Sequence, residues 1–179
     1  YGFMQLILEE NVDLAIDLHE ASPEYPVVDA LVAHERAMEL AAMVSMELEF
    51  EGIPIRLEPS PKNLRGLSHR EWGDNADVLA ILMETCNASA GRFRGKTDER
   101  LVHTGEDKAY DKAAALGRLY VPWESYDRRI EERVGRHVVA VKVLADNLEF
   151  VRDGKGVSLQ GLPAYQDFYD RGVGAFLAE

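Results

Sequence analysis

Residues 12–25, VDLAIDLHEASPEY, carry the reading on which the fold turns. Val12, Leu14, Ala15, Ile16 and Leu18 are apolar, and only Asp13 and Asp17 interrupt them. Near-continuous apolarity suits a strand buried on both faces, as in a parallel sheet between helices. Pro23 and Pro26 then mark residues 20–27 as a loop. The stretch predicts a sheet strand that delivers His19 to the rim of the sheet.

Working outward, Phe3, Leu6 and Ile7 form the apolar side of a short helix that ends near Asn11. Downstream, Ala30, Ala33, Ala37, Leu40, Ala41, Val44 and Leu48 recur at helical spacing. They predict a helix over residues 29–49, with Asp29 as N-cap and Gly52 closing the far end. Residues 53–57 read as a brief strand that Pro54 moves toward a sheet edge, and residues 58–75 as a long polar loop. Residues 78–83, VLAILM, give a second buried strand, ending in Glu84.

A polar loop over residues 85–103 follows, and Thr104 with Asp107 resembles a capping box opening a helix to about residue 119. Pro122 and Trp123 break that helix, and a long one spans residues 126–150. Residues 153–156 make a turn, and a last helix runs from about Pro163 to before Gly172. The pattern predicts one α/β domain over residues 1–179, its sheet mostly parallel or mixed and flanked by helices.

Composition narrows the function classes. The chain carries 20 Lys+Arg against 32 Asp+Glu, a formal charge of −12, so nucleic acid and anionic membrane surfaces are not expected partners. Its one cysteine, Cys86, excludes an internal disulfide framework and fits a reducing compartment, so a cytoplasmic location is expected. No apolar run approaches the roughly 20 residues a membrane helix needs.

In α/β sheets ligands bind beyond the carboxyl ends of strands, where His19 and Glu84 are both expected. Asp17, two residues earlier, would tie down local loop amides with its carboxylate or, sharing the side of the strand that His19 takes, support the His19 ring instead. Glu84 follows Leu82 and Met83, and a carboxylate among apolar neighbours is suited to general-base work. Cys86 has no histidine near it in sequence and reads as a buried small residue. His103-Thr104-Gly105-Glu106 has His-x-x-Glu spacing but straddles an expected helix start, so coincidence explains it better. Ser68-His69-Arg70-Glu71-Trp72 has the wrong spacing for that motif, and His34 and His137 fall within amphipathic helices.

Ala15-Ile16-Asp17-Leu18-His19-Glu20-Ala21 resembles the second histidine motif of the zinc carboxypeptidases and the related succinylglutamate desuccinylase/aspartoacylase deacylases. Ala80-Ile81-Leu82-Met83-Glu84-Thr85 looks like that superfamily's later strand ending in the catalytic glutamate. The resemblance implies a phosphorylase/hydrolase-like zinc peptidase fold, with zinc as cofactor, His19 as a zinc ligand and Glu84 as general base. The expected reaction is hydrolysis of an amide bond in a peptide or N-acyl amino acid. Arg92 and Arg94 would clamp a substrate carboxylate as planar donors; solvated loop charges are the alternative reading.

The family's His-x-x-Glu zinc motif and Asn-Arg substrate motif lie well before the Asp-Leu-His strand, and only 11 residues precede Val12 here. The chain is therefore expected to be the C-terminal part of a catalytic domain, inactive alone and holding zinc weakly. Apolar surface should be exposed where the other half packs, giving a route to self-association. The competing reading is a non-catalytic α/β binding or assembly domain on the same scaffold.

Overall fold

The computed structural model describes residues 2–123 and 128–177, and it is α/β, a four-stranded mixed open sheet flanked by helices. Strand order is β1-β4-β2-β3, with β1 Leu14–Ala21, β2 Ala30–Ala33, β3 Arg56–Pro59 and β4 Leu79–Cys86. β2 and β3 pair in parallel, from Ala30 opposite Arg56 to Ala33 opposite Pro59. Leu79 N donates to Asp13 O and Asn87 N to Ala21 O, partners that advance together, so β1 and β4 run the same way. His34 N bonds Ala80 O while Cys86 N bonds the Asp29 carboxylate, an opposite progression that makes β2 antiparallel to β4. That reversal is what makes the sheet mixed.

The interior strand agrees with its sequence. Val78 and all of Leu79–Met83 are buried, as a strand with neighbours on both sides should be. β1 does not agree. It stands at the end of the strand order, runs on to Ala21, and is half-buried to exposed up to Glu20, with Leu18 48% exposed. Its apolar run signalled a strand correctly but not its degree of burial.

The chain gathers into two compact units, Tyr1–His19 with Ala30–Met83 and Ala140–Gln160, and Glu20–Asp29 with Glu84–Val139 and Gly161–Glu179. In the first, helix α1 (Gly2–Glu9) sets Ile7 against Val78 and Ala80, with Trp72 packed on the same cluster. Helix α2 (Met38–Phe50) buries Leu40, Ala41, Val44 and Leu48, the one-face spacing its sequence shows. In the second, Val28, Cys86, Ala88, Leu101, Tyr110, Val121 and Trp123 form the core, and Tyr110 and Trp123 stack with centroids 5.1 Å apart.

Three expected elements are redrawn. Residues 29–49 are not one helix. Ala30–Ala33 is strand β2, buried at every position, a 3-10 turn covers Glu35–Ala37, and the helix begins only at Met38. Alanines at helical spacing also fit a short strand buried on both faces, and Asp29, at φ 49°, is no helix cap. Residues 58–75 are not all loop: Ser68–Asn75 is helix α3. Its buried residues are His69, Arg70 and Gly73, so hydrophobic periodicity has nothing to register. Thr104 ends helix α4 (Glu99–Thr104) instead of opening one, and Asp107 caps α5 (Lys108–Ala115) through Ala109 N. Gly105 supplies the left-handed stop between them at φ 69°.

Helix α6 spans Ile130–Asn147 and continues as a 3-10 turn to Phe150; its expected start at residue 126 lies outside the described residues. Helix α7 (Tyr165–Arg171) stops at Gly172, close to expectation. Among the described residues no helix is long and apolar enough to cross a membrane.

Candidate functional site

His19 is the sixth residue of β1, with its side chain 52% exposed. Alternation along a strand puts residues i and i+2 on one side, and Asp17 Oδ1 accordingly lies 3.2 Å from His19 Nε2. The other oxygen of the same carboxylate, Oδ2, accepts a hydrogen bond from Ser68 Oγ at the start of α3. Asp17 thus joins His19 to a helix that looks like loop in the sequence.

Helix α3 is fixed by an arginine that is itself buried. Arg70 Nη2 donates to Glu35 Oε2 at 2.5 Å and to Asp74 Oδ1 at 2.7 Å, and Nη1 to Ser60 O at 3.2 Å. The Arg70 hydrogen bond holds the Glu35 carboxyl far below the usual carboxylate range and lowers Asp74 as well. At the other end of α3, Arg36 Nη1 donates to Gly73 O at 2.5 Å and Ala76 O at 2.6 Å. His34 lies beneath the helix: a Cβ on Gly73 would sit 2.3 Å from its ring, so only glycine fits there.

His69, next to Ser68, is 2% exposed, and neither ring nitrogen has a hydrogen-bond partner among the described residues. Burial first, then the Arg70 charge, push its pKa down to about 4, while Asp17 pulls the other way. A histidine whose folded pKa lies below its unfolded value binds fewer protons when folded, so stability is full above about pH 6.5 and is lost as pH falls toward 4. The loss should reach roughly 3 kcal/mol at most. Urea unfolding of His69→Phe against wild type at pH 7 and pH 4 checks this: the variant should lose less stability across the interval. Equal losses would remove His69 as the source.

In the second unit, Glu84 is the sixth residue of β4, half-buried, with Oε2 inaccessible to solvent. Its neighbours have structural work. Thr85 Oγ1 is 3.2 Å from His137 Nε2, and Cys86 is buried with its thiol pKa pushed up by desolvation, which removes it as a thiolate nucleophile. Asn87 caps the 3-10 turn Ala88–Ala90 through Ser89 N and donates to Glu20 Oε2 at 2.6 Å. Arg133 reaches the other oxygen of Glu20, also at 2.6 Å.

The loop after β4 treats its two candidate arginines differently. Arg94 bonds within its own loop, Nε to Thr97 Oγ1 at 2.7 Å and Nη1 to Gly91 O. Arg92 lies over the Phe93 ring at 5.3 Å and lines a cleft of about 500 Å³ with Glu24, Arg118 and Tyr120. A larger cleft of about 890 Å³ in the same unit is lined by Arg100, Asp107, Lys108, Asp111, Trp123 and Arg128, among others. His103 sits on α4, and Glu106 pairs with Arg100 at 3.0 Å, so the His103–Glu106 spacing forms no paired site.

The donors can be tested against zinc. Carboxylates commonly stand behind metal-bound imidazoles, and Asp17 lies 3.2 Å from His19 Nε2. A catalytic zinc takes three protein ligands. Among the described residues no group of three or more His, Cys, Asp or Glu side chains is placed to hold a metal. The described residues therefore do not complete a three-ligand site.

Ser68 and His69 are the residues sequence reasoning passed over. One signal was present: Ser68 followed three residues later by Glu71 matches a helix-start pattern, and Glu71 Oε1 does accept from Gly66 N at 2.9 Å. Compared with known proteins, the chain matches no family model, no curated protein and no solved structure.

Proposed function

We propose that the chain contributes one histidine ligand and the general base of a zinc-dependent amide hydrolase acting on a peptide or an N-acyl amino acid. The observation that carries the reading is the Asp17 carboxylate 3.2 Å from Nε2 of an exposed histidine on β1.

The roles follow from the chemistry. Asp17, 3.2 Å from Nε2, would orient the His19 ring, and His19 would be one of the residues holding the metal. Bound zinc would supply Lewis acidity and lower the pKa of its water to about 7. Glu84 takes a proton from the attacking water and returns it to the leaving amine; its shielded oxygen suits a base whose ionised form is poorly hydrated. Arg92, on the cleft-lining loop, is the better placed of the two arginines for a substrate carboxylate, because Arg94 is committed to its own loop.

Replacing His19 tests the metal half of this reading. In the full natural chain containing these residues, His19→Ala should weaken zinc at least 100-fold in a chelator competition, since one of three ligands is gone. Unchanged zinc affinity would remove His19 from the metal site.

A further inference from the structure

The cleft of about 500 Å³ in the second unit holds a second arginine, Arg118, that the proposed reaction leaves unused. We infer that this cleft is a binding site for a small aromatic carboxylate, its anionic end clamped by the Arg92 and Arg118 guanidinium groups. The inference goes beyond the zinc reading: it calls for no metal and no hydrolysis, and no residue of β1 takes part.

Three observations carry it. The first is unspent positive charge. Among the described residues neither guanidinium has a hydrogen bond or an ion pair; Arg92 lies over the Phe93 ring at 5.3 Å. Other arginines of the same unit are taken, Arg94 by Thr97 and Gly91, Arg100 by Glu106, Arg133 by Glu20 and Arg136 by Glu132. With 32 Asp+Glu against 20 Lys+Arg, the chain has carboxylates to spare. Two arginines of one cleft that pair with none of them point to an anion from outside the chain.

The second is how the backbones that carry them are fixed. Arg92 N donates to Glu24 Oε1 at 2.6 Å, and Glu24 Oε2 accepts from Tyr110 OH at 2.9 Å. Arg118 follows the end of α5, which closes in a Schellman arrangement: Gly117 N bonds Ala114 O at 2.8 Å, and Arg118 N bonds Ala113 O at 3.0 Å. Tyr120 N then bonds Pro23 O at 2.9 Å. These ties are in place before a ligand arrives, so less ordering has to be offset on binding.

The third is the apolar surface beside the charges. Phe93 and Leu119 pack on the core of the unit, with Phe93 edge-on to Tyr110 at a centroid distance of 6.2 Å. Tyr120 is 57% exposed and offers a ring at the cleft wall. Aromatic walls suit a flat apolar body, while the arginines fix its charged end. Charge then selects the head group. Two arginines less Glu24 leave one net positive charge in the lining, which matches a carboxylate better than a phosphate monoester.

Titration calorimetry of phenylacetate into the full natural chain, in buffer containing EDTA, tests this. Saturable binding with a Kd below about 10 mM is expected, a range open to so small a ligand. Arg92→Ala and Arg118→Ala should each weaken it about 10-fold, as loss of a charged hydrogen-bond donor does. Arg118→Lys should recover only part. Benzyl alcohol, which lacks the charge, should bind at least about 10-fold more weakly. His19→Ala should bind phenylacetate as wild type does, whatever it does to zinc. No saturable binding, equal affinity for benzyl alcohol, or unchanged affinity in either alanine variant would overturn the inference. Tighter binding of phenyl phosphate than of phenylacetate would overturn the assignment to a carboxylate. Binding seen only without EDTA, or lost in His19→Ala, would make the cleft part of a metal site and overturn its independence. Thermal stability is recorded for each variant; should Arg92→Ala unfold once Phe93 is uncovered, Arg92→Gln takes its place under the same criteria.

Discussion

Replacing Glu84 by glutamine in the full natural chain is expected to lower kcat for amide hydrolysis by about 100- to 10,000-fold, the range for loss of a general base. That corresponds to about 3–5.5 kcal/mol of barrier. Glutamine keeps the size and the polarity of the side chain but cannot accept a proton. It should therefore leave the packing of β4 intact, where Leu79–Met83 and Cys86 are buried on either side of the half-buried Glu84. Zinc affinity and KM should move little, since the carboxylate is assigned to the water and not to the metal or the substrate. Hydrolysis that survives unaltered would exclude Glu84 as base and favour a binding or assembly role for the scaffold.

The largest effect on stability is expected at Arg70. Arg70→Ala should lower the unfolding free energy by about 3 kcal/mol, the lower end for breaking a buried ion pair. The lower end applies because the abandoned carboxylates, Glu35 and Asp74, are 44% and 32% exposed and can be hydrated. Arg70→Lys should recover only part, because an ammonium cannot reach Glu35, Asp74 and Ser60 O with the geometry of a guanidinium fork. Urea unfolding near neutral pH reads both variants. A change below about 0.5 kcal/mol for Arg70→Ala would mean that α3 is held by something other than this network.

The second buried strand was legible because β4 has the signature of an interior strand, and it lies between β1 and β2. Val78 through Met83 are apolar in sequence and buried in the fold, but β4 runs on to Cys86, so Glu84 does not end it as expected. β1 was legible as a strand, yet its place at the sheet edge was not, because burial depends on which strands come to lie beside it. Residues 30–33 were assigned to a helix since four consecutive buried residues carry no period of their own to separate strand from helix. Helix α3 was hidden for the opposite reason. Its inner face is His69, Arg70 and Gly73, held by a charge network whose partners, Glu35 and Ser60, are distant in sequence.

Ser68 was invisible for the same cause: only the fold brings it to Asp17. The Asp17–His19 contact, by contrast, follows from strand alternation alone and was anticipated. Phe3 and Leu8 on α1 and Leu18 on β1 are 73%, 56% and 48% exposed.

The most direct test of the central claim is the metal's own coordination shell. X-ray absorption at the zinc edge, or anomalous diffraction, on the zinc-loaded full natural chain should place the His19 imidazole in the first shell at about 2.0–2.1 Å. A zinc bound tightly with His19 outside that shell would contradict the account.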